Sequence, residues 1–171
     1  MSYKNENMKM IELHENGLDI QFRIRENGVV ELADFSSQEV KKAVMEPKDD
    51  ICYPAVEIHR SGTGSLNMHA YKNNINQSSV DFVYENHELK AQAGGKELEI
   101  VMISPEKLKA VYHMRLFDGV PAVQTWTEII NEGSEDQGLT YVSSFMYQGI
   151  SRGGEKKKKK KTDIYVPFNS W

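Results

Sequence analysis

Apolar and polar residues alternate with period two from near residue 10 almost to the end of this chain, and no other feature constrains its fold as tightly. In Leu18-Asp19-Ile20-Gln21-Phe22-Arg23-Ile24-Arg25, four apolar side chains point one way and four polar ones the other. A half-buried strand requires that, whereas a helix would scatter them around its axis. Lys9 to His14 reads as an earlier strand, set off by Asn16-Gly17. Asn27-Gly28 precedes Val29-Val30-Glu31-Leu32 and suits the positive backbone angles of a type I′ turn, so Leu18 to Ala33 is predicted as a hairpin. The theme repeats at Val56 to Arg60, Val80 to Tyr84, Glu97 to Ile103, Leu108 to Phe117, Ala122 to Ile130 and Leu139 to Tyr147. Turn residues punctuate these runs at Gly94-Gly95, Ser104-Pro105, Asp118-Gly119 and Asn131 to Ser134. Only Ser37 to Met45 reads as a helix, capped by Ser36 or Ser37 and ended by Pro47. The expected fold is all-β, a large antiparallel β-sandwich.

A chain of 171 residues is long enough for one core, and neither a repeat nor a Pro- or Gly-rich linker divides it, so residues 1–171 are read as a single domain. Charges interrupt every apolar run well short of the roughly 18 residues a spanning helix needs, and no membrane partner is expected. Met1 to Met10 lacks the apolar core and cleavage site of a secretory signal, which favours a cytoplasmic home. Cys52 is the only cysteine, which excludes an internal disulfide or a thiolate metal cluster, and it reads as a small buried hydrophobe. The net charge is −4, but six lysines lie together at Lys156 to Lys161. Without them 15 basic residues face 25 acidic ones, a balance unlike a surface that tracks phosphates, so nucleic acid is not an expected partner. The lysine run reads as an exposed hairpin loop, because strand-like sequence resumes at Thr162 to Phe168.

The common signatures of chemistry are missing. His14, His59, His69, His87 and His113 include no helical i, i+4 pair, and a lone histidine on a strand reads as an edge or surface residue. No metal and no cofactor is expected. Gly-x-Ser-x-Gly is absent. Gly62-Thr63-Gly64-Ser65-Leu66-Asn67 begins like a dinucleotide loop but has Asn67 in place of the third glycine. It remains a polar, Gly-rich loop between Arg60 and Tyr71, a place where binding residues tend to sit. Trp126 reads as a core residue, while Tyr53, Tyr71 and Tyr84 lie in or beside loops and are fairer platforms for a sugar ring.

One ordered series is more specific. Asp118-Gly119-Val120-Pro121-Ala122-Val123-Gln124-Thr125-Trp126-Thr127-Glu128, then Ile130-Asn131-Glu132-Gly133, then Leu139-Thr140-Tyr141-Val142-Ser143-Ser144-Phe145, resembles the amino-terminal domain of glycoside hydrolase family 36, the bacterial α-galactosidases. Pro167-Phe168-Asn169-Ser170-Trp171 is similar to the family's Asn-Ser-Trp segment, which precedes the linker into its catalytic (β/α)₈ barrel. The resemblance implies a β-supersandwich that packs against such a barrel, with both catalytic aspartates on the barrel and none here. It also implies that residue 171 stands at the linker, with the barrel missing, and that these residues alone do not hydrolyse galactosides.

In that family a sandwich loop carrying Gly-Thr-x-Asp and a nearby Arg reaches a neighbouring subunit's active site. The matching stretch here has Ser65 for the acid and Asn67 where the Arg would stand. The resemblance thus nominates Gly62, Thr63, Gly64, Ser65 and Asn67 as residues that contact an α-galactoside, and Tyr53, as an aromatic in a loop, and Arg60, at the border of the Gly-rich loop, are read as candidate contacts beside them. The expected partners are the parent enzyme's barrel and further copies of the chain. A free-standing carbohydrate-binding module is the alternative, and a scaffold anchored through Lys156 to Lys161 is a third reading.

Overall fold

The computed structural model describes residues 9–37, 53–64 and 77–147. The lysine run, the strand expected over Thr162 to Phe168, and all but the first residue of the helix expected from Ser37 lie outside these residues. The described residues form nine strands and one helical turn, in order β1 (Lys9–Glu15), β2 (Leu18–Ile24), β3 (Val30–Ser37), β4 (Ile58–Arg60), α1 (Gln77–Val80), β5 (Val83–Gln92), β6 (Gly95–Ile103), β7 (Leu108–Phe117), β8 (Val120–Asn131) and β9 (Leu139–Val142). The fold is all-β and antiparallel, as the alternation requires.

The strands form a three-stranded sheet ordered β1-β2-β3, a four-stranded meander β5-β6-β7-β8, and a short pair β4-β9. One face of each larger sheet supplies the common core. Ile11, Leu13, Leu18, Ile20, Phe22, Ile24, Val30 and Leu32 meet Leu98, Ile100, Met102, Leu108, Ala110, Tyr112, Met114 and Leu116, with Ile58 and Phe82 in the same cluster. Burying a leucine, isoleucine or phenylalanine side chain stabilises the fold by about 1.5–3 kcal/mol, so this seam outweighs any single polar contact. Phe22 and Tyr112 meet edge to face across it, ring centroids 5.7 Å apart. Burial pushes the Tyr112 hydroxyl far above the usual phenol range.

The sheets are also tied at their ends. At one end Asn16 donates to the Phe117 carbonyl at 2.9 Å and accepts from the Gly119 N–H at 3.0 Å. At the other, the Tyr84 N–H donates to the Gly28 carbonyl at 2.8 Å. The β1–β2 turn therefore meets the β7–β8 turn at one end, and the β2–β3 loop meets the start of β5 at the other.

The turn chemistry differs from expectation in an instructive way. The two-residue turn with positive φ at both positions is Asn16-Gly17, at 51° and 81°, closing β1 on β2. Asn27-Gly28 instead lies in a longer loop, Arg25 to Val29, with only Gly28 at positive φ. The loop closes on itself, the Gly28 N–H donating to the Arg25 carbonyl at 2.8 Å and the Arg25 N–H to the Val29 carbonyl at 2.9 Å. A Cβ on Gly28 would stand 2.8 Å from the Val83 Cβ, so the glycine also lets this loop lie against β5.

Two local expectations fail. Residues 77–80 form a helical turn where the start of a strand, Val80 to Tyr84, was expected. The Ser78 and Ser79 hydroxyls both donate to the Ile58 carbonyl, which offers that turn a tie to β4 that the alternation does not encode. The strand β5 then runs to Gln92 through Glu85-Asn86-His87-Glu88, too polar to show period two. It lies at the edge of its sheet, where one backbone side is paired and the side chains face water.

Candidate functional site

The nominated loop follows β4. Gly62, at φ 82°, allows the chain to reverse so that the Thr63 N–H and hydroxyl both donate to the Arg60 carbonyl, at 3.3 and 2.7 Å. The Gly64 carbonyl accepts the Gln77 N–H at 3.0 Å, which joins the loop to α1. Gly62 and Gly64 are exposed and Thr63 is half-buried. Arg60 is different, with its side chain only 8% exposed. Its guanidinium reaches Asp81 at 3.1 Å and Glu106 at 2.7 Å, so it joins β4 to the end of α1 and to the β6–β7 connection. Burial tends to raise the Glu106 carboxyl, but a backbone N–H and then Arg60 and Ser104 outweigh it and hold it below its ordinary range.

Tyr53 belongs to another neighbourhood. Its backbone N–H donates to Glu31 on β3 at 3.0 Å, and Glu31 also pairs with Arg23 and Arg25. Ser65, Asn67 and Tyr71 lie outside the described residues. The structure thus brings Arg60, Gly62, Thr63 and Gly64 together and turns the guanidinium inward onto carboxylates.

A second cluster lies on the outward face of the four-stranded sheet. Even-numbered residues of β6 and β7 fill the core, so Glu97, Glu99 and His113 project the other way. Strand pairing sets them in rows: Glu88, Glu99, His113 and Trp126 stand directly opposite one another across all four strands. Lys90, Glu97, Arg115 and Gln124 form the next row. His113 is 6% exposed, and its Nδ1 lies 2.9 Å from Glu97 Oε1 and 3.9 Å from Glu99 Oε1. Its Nε2 is buried without a hydrogen-bond partner, 3.8 Å from Glu128 Oε2. The Trp126 indole stacks on the imidazole at 4.6 Å and 5°. The Lys90 ammonium pairs closely with Glu99, and that hydrogen bond raises its pKa against the opposing effect of desolvation.

This cluster departs from the sequence reading twice. Trp126 was expected in the core but stands half-buried on the outer face, because its odd register from Thr125 and Thr127 turns it away from the core. His113 was expected at an edge or surface and is instead buried between neighbouring strands. Glu97-x-Glu99 and His113 are visible as a pattern of like parity, but the pairing that sets Glu99 opposite His113 depends on the length of the β6–β7 turn. Among the described residues, Glu97, Glu99 and His113 are the group whose ligand atoms, one each, all lie within 4.8 Å of one another.

No protein-family model matches the chain, and no curated protein matches it either. Among the described residues, no helix is long and apolar enough to cross a membrane.

Proposed function

We propose that the chain is a non-catalytic β-sandwich companion of an α-galactosidase-like glycoside hydrolase, which supports a (β/α)₈ barrel and pairs subunits. The observation that carries this reading is where along the chain the exposed large apolar side chains fall. Five of the six among the described residues, Val120, Ile130, Leu139, Tyr141 and Phe145, lie in the stretch that resembles the family's amino-terminal domain. Each gains free energy when a partner removes it from water. The gene's reading frame beyond residue 171 tests the parentage, which requires barrel sequence with the family's Lys-Trp-Asp segment. For the purified chain the reading predicts no release of galactose from an α-galactoside and self-association that grows with concentration in sedimentation. Galactose release, or a clean monomer at high concentration, counts against it.

A carbohydrate-binding module is the second reading, favoured by Trp126 standing outward between Gln124 and Glu128, an aromatic face beside polar groups. Titration with raffinose and other galactosides separates the two. Saturable binding that Trp126→Ala abolishes supports the module; flat titrations leave the companion role.

A further inference from the structure

The geometry points to a divalent metal site of the zinc class on the outer face of the four-stranded sheet, ligated by Glu97, Glu99 and His113 Nδ1, with Glu128 holding the ring's other nitrogen. Bonds of about 2.0–2.2 Å in a tetrahedral arrangement set neighbouring ligand atoms about 3.4 Å apart. The observed separations from His113 Nδ1, 2.9 Å to Glu97 and 3.9 Å to Glu99, bracket that value. All three residues stand on paired strands whose register is unbroken from Gly95 to Ile103, so little must move for them to converge on an ion.

The buried Nε2 is the independent sign. A neutral imidazole carries one proton. When Nδ1–H donates to Glu97, Nε2 is left as a buried acceptor with nothing to accept, which costs free energy. When Nδ1 binds a metal, the proton moves to Nε2 and faces Glu128, 3.8 Å away, and the ring then has a carboxylate behind it as metal-bound histidines usually do. Trp126, stacked parallel, fixes the ring plane for both states.

Ligand chemistry selects the ion. One imidazole with two carboxylates suits zinc and its neighbours, whereas calcium takes six to eight oxygens. Three protein ligands leave a fourth position for water. Lys90 is the built-in competitor, since its ammonium occupies Glu99. Its side chain is 37% exposed and already lies 3.8 Å from Glu88, to which it can retreat.

Calorimetric titration of the metal-free chain with zinc chloride tests the site. The expected result is one tightly bound ion per chain, a change in tryptophan emission, and no comparable uptake of calcium. Glu99→Gln should weaken binding by at least tenfold, and Glu128→Gln by about ten- to a hundredfold with the stoichiometry kept. Lys90→Ser should tighten it several-fold. His113→Asn should abolish it, and because that variant alters a buried position, the three partly exposed variants carry the test if it fails to fold. Absence of saturable zinc uptake overturns the proposal, as does uptake unaffected by Glu99→Gln and Glu128→Gln.

Discussion

Arg60 and His113 are each a buried nitrogenous base set between carboxylates, yet they are built for different ends. The Arg60 guanidinium meets Asp81 and Glu106, which come from separate connections, and it holds three parts of the chain together. Its always-charged group has nothing to gain from a further cation. His113 sits among side chains of its own sheet, joins no distant elements, and keeps one nitrogen without a partner. The first arrangement pairs its charge with carboxylates from distant segments and serves the fold; the Arg60 Nε is also buried without a partner, but a guanidinium N–H can only donate and offers no ligand atom. The second leaves ligand capacity unused and faces outward.

Breaking β6–β7 pairing should damage both regions at once and have the largest effect. A Cβ on Gly95 would stand 1.9 Å from the Leu116 carbonyl oxygen, so Gly95→Ala must push two paired strands apart. A loss of about 3 kcal/mol or more in denaturant unfolding is expected, together with loss of zinc uptake. Arg60→Ala comes next. Removing one partner of a buried ion pair costs about 3–5 kcal/mol, but Asp81 and Glu106 can turn to water, which reduces the expected loss to about 2–3 kcal/mol. Zinc uptake should be unchanged by this variant, which sharpens the contrast, whereas His113→Asn should reverse the pattern with a smaller stability change and no uptake.

Glu106→Gln refines the contrast through pH. Because the folded carboxyl lies below its ordinary range, its contribution is present above the unfolded pKa and is lost as pH falls through the folded one. Thermal melts should therefore separate wild type from the variant near neutrality, by less than about 1 kcal/mol given the exposure of Glu106, and converge in acid. His14 should give the smallest effect, with the opposite sign. Its hydrogen bond to Asp19 raises the folded pKa, so any stabilisation is present below the unfolded pKa and is lost as pH rises through the folded one. A His14→Gln variant should match wild type in alkaline melts and fall slightly below it in mild acid.

The sequence disclosed strands where one face is buried and the other wet. Leu108 to Phe117 is β7 to the residue, because its even positions are all apolar and its neighbours supply clear turns. It concealed what depends on contact between distant segments. Asn27-Gly28 has the local chemistry of a two-residue turn but sits in a longer loop that its own hydrogen bonds close and that packs on β5, and Asn16-Gly17 takes the two-residue turn instead. The polar edge strand β5 hides its period because its solvent face and its margin are alike hydrophilic. For the sites, the Gly62 to Gly64 loop was legible from glycine alone, but the inward aim of Arg60 was not, since Glu106 is far along the chain. The His113 cluster needed the register of four strands, which no local pattern encodes.

The protonation of His113 is the most direct test of the claim that the outer face, rather than the Arg60 loop, carries an open ligand position. Nitrogen-15 NMR of the imidazole should show the proton on Nδ1 in the metal-free chain and on Nε2 after one equivalent of zinc, with Trp126 resonances shifting in step. An imidazole whose tautomer and shifts stay the same across the titration would contradict the account.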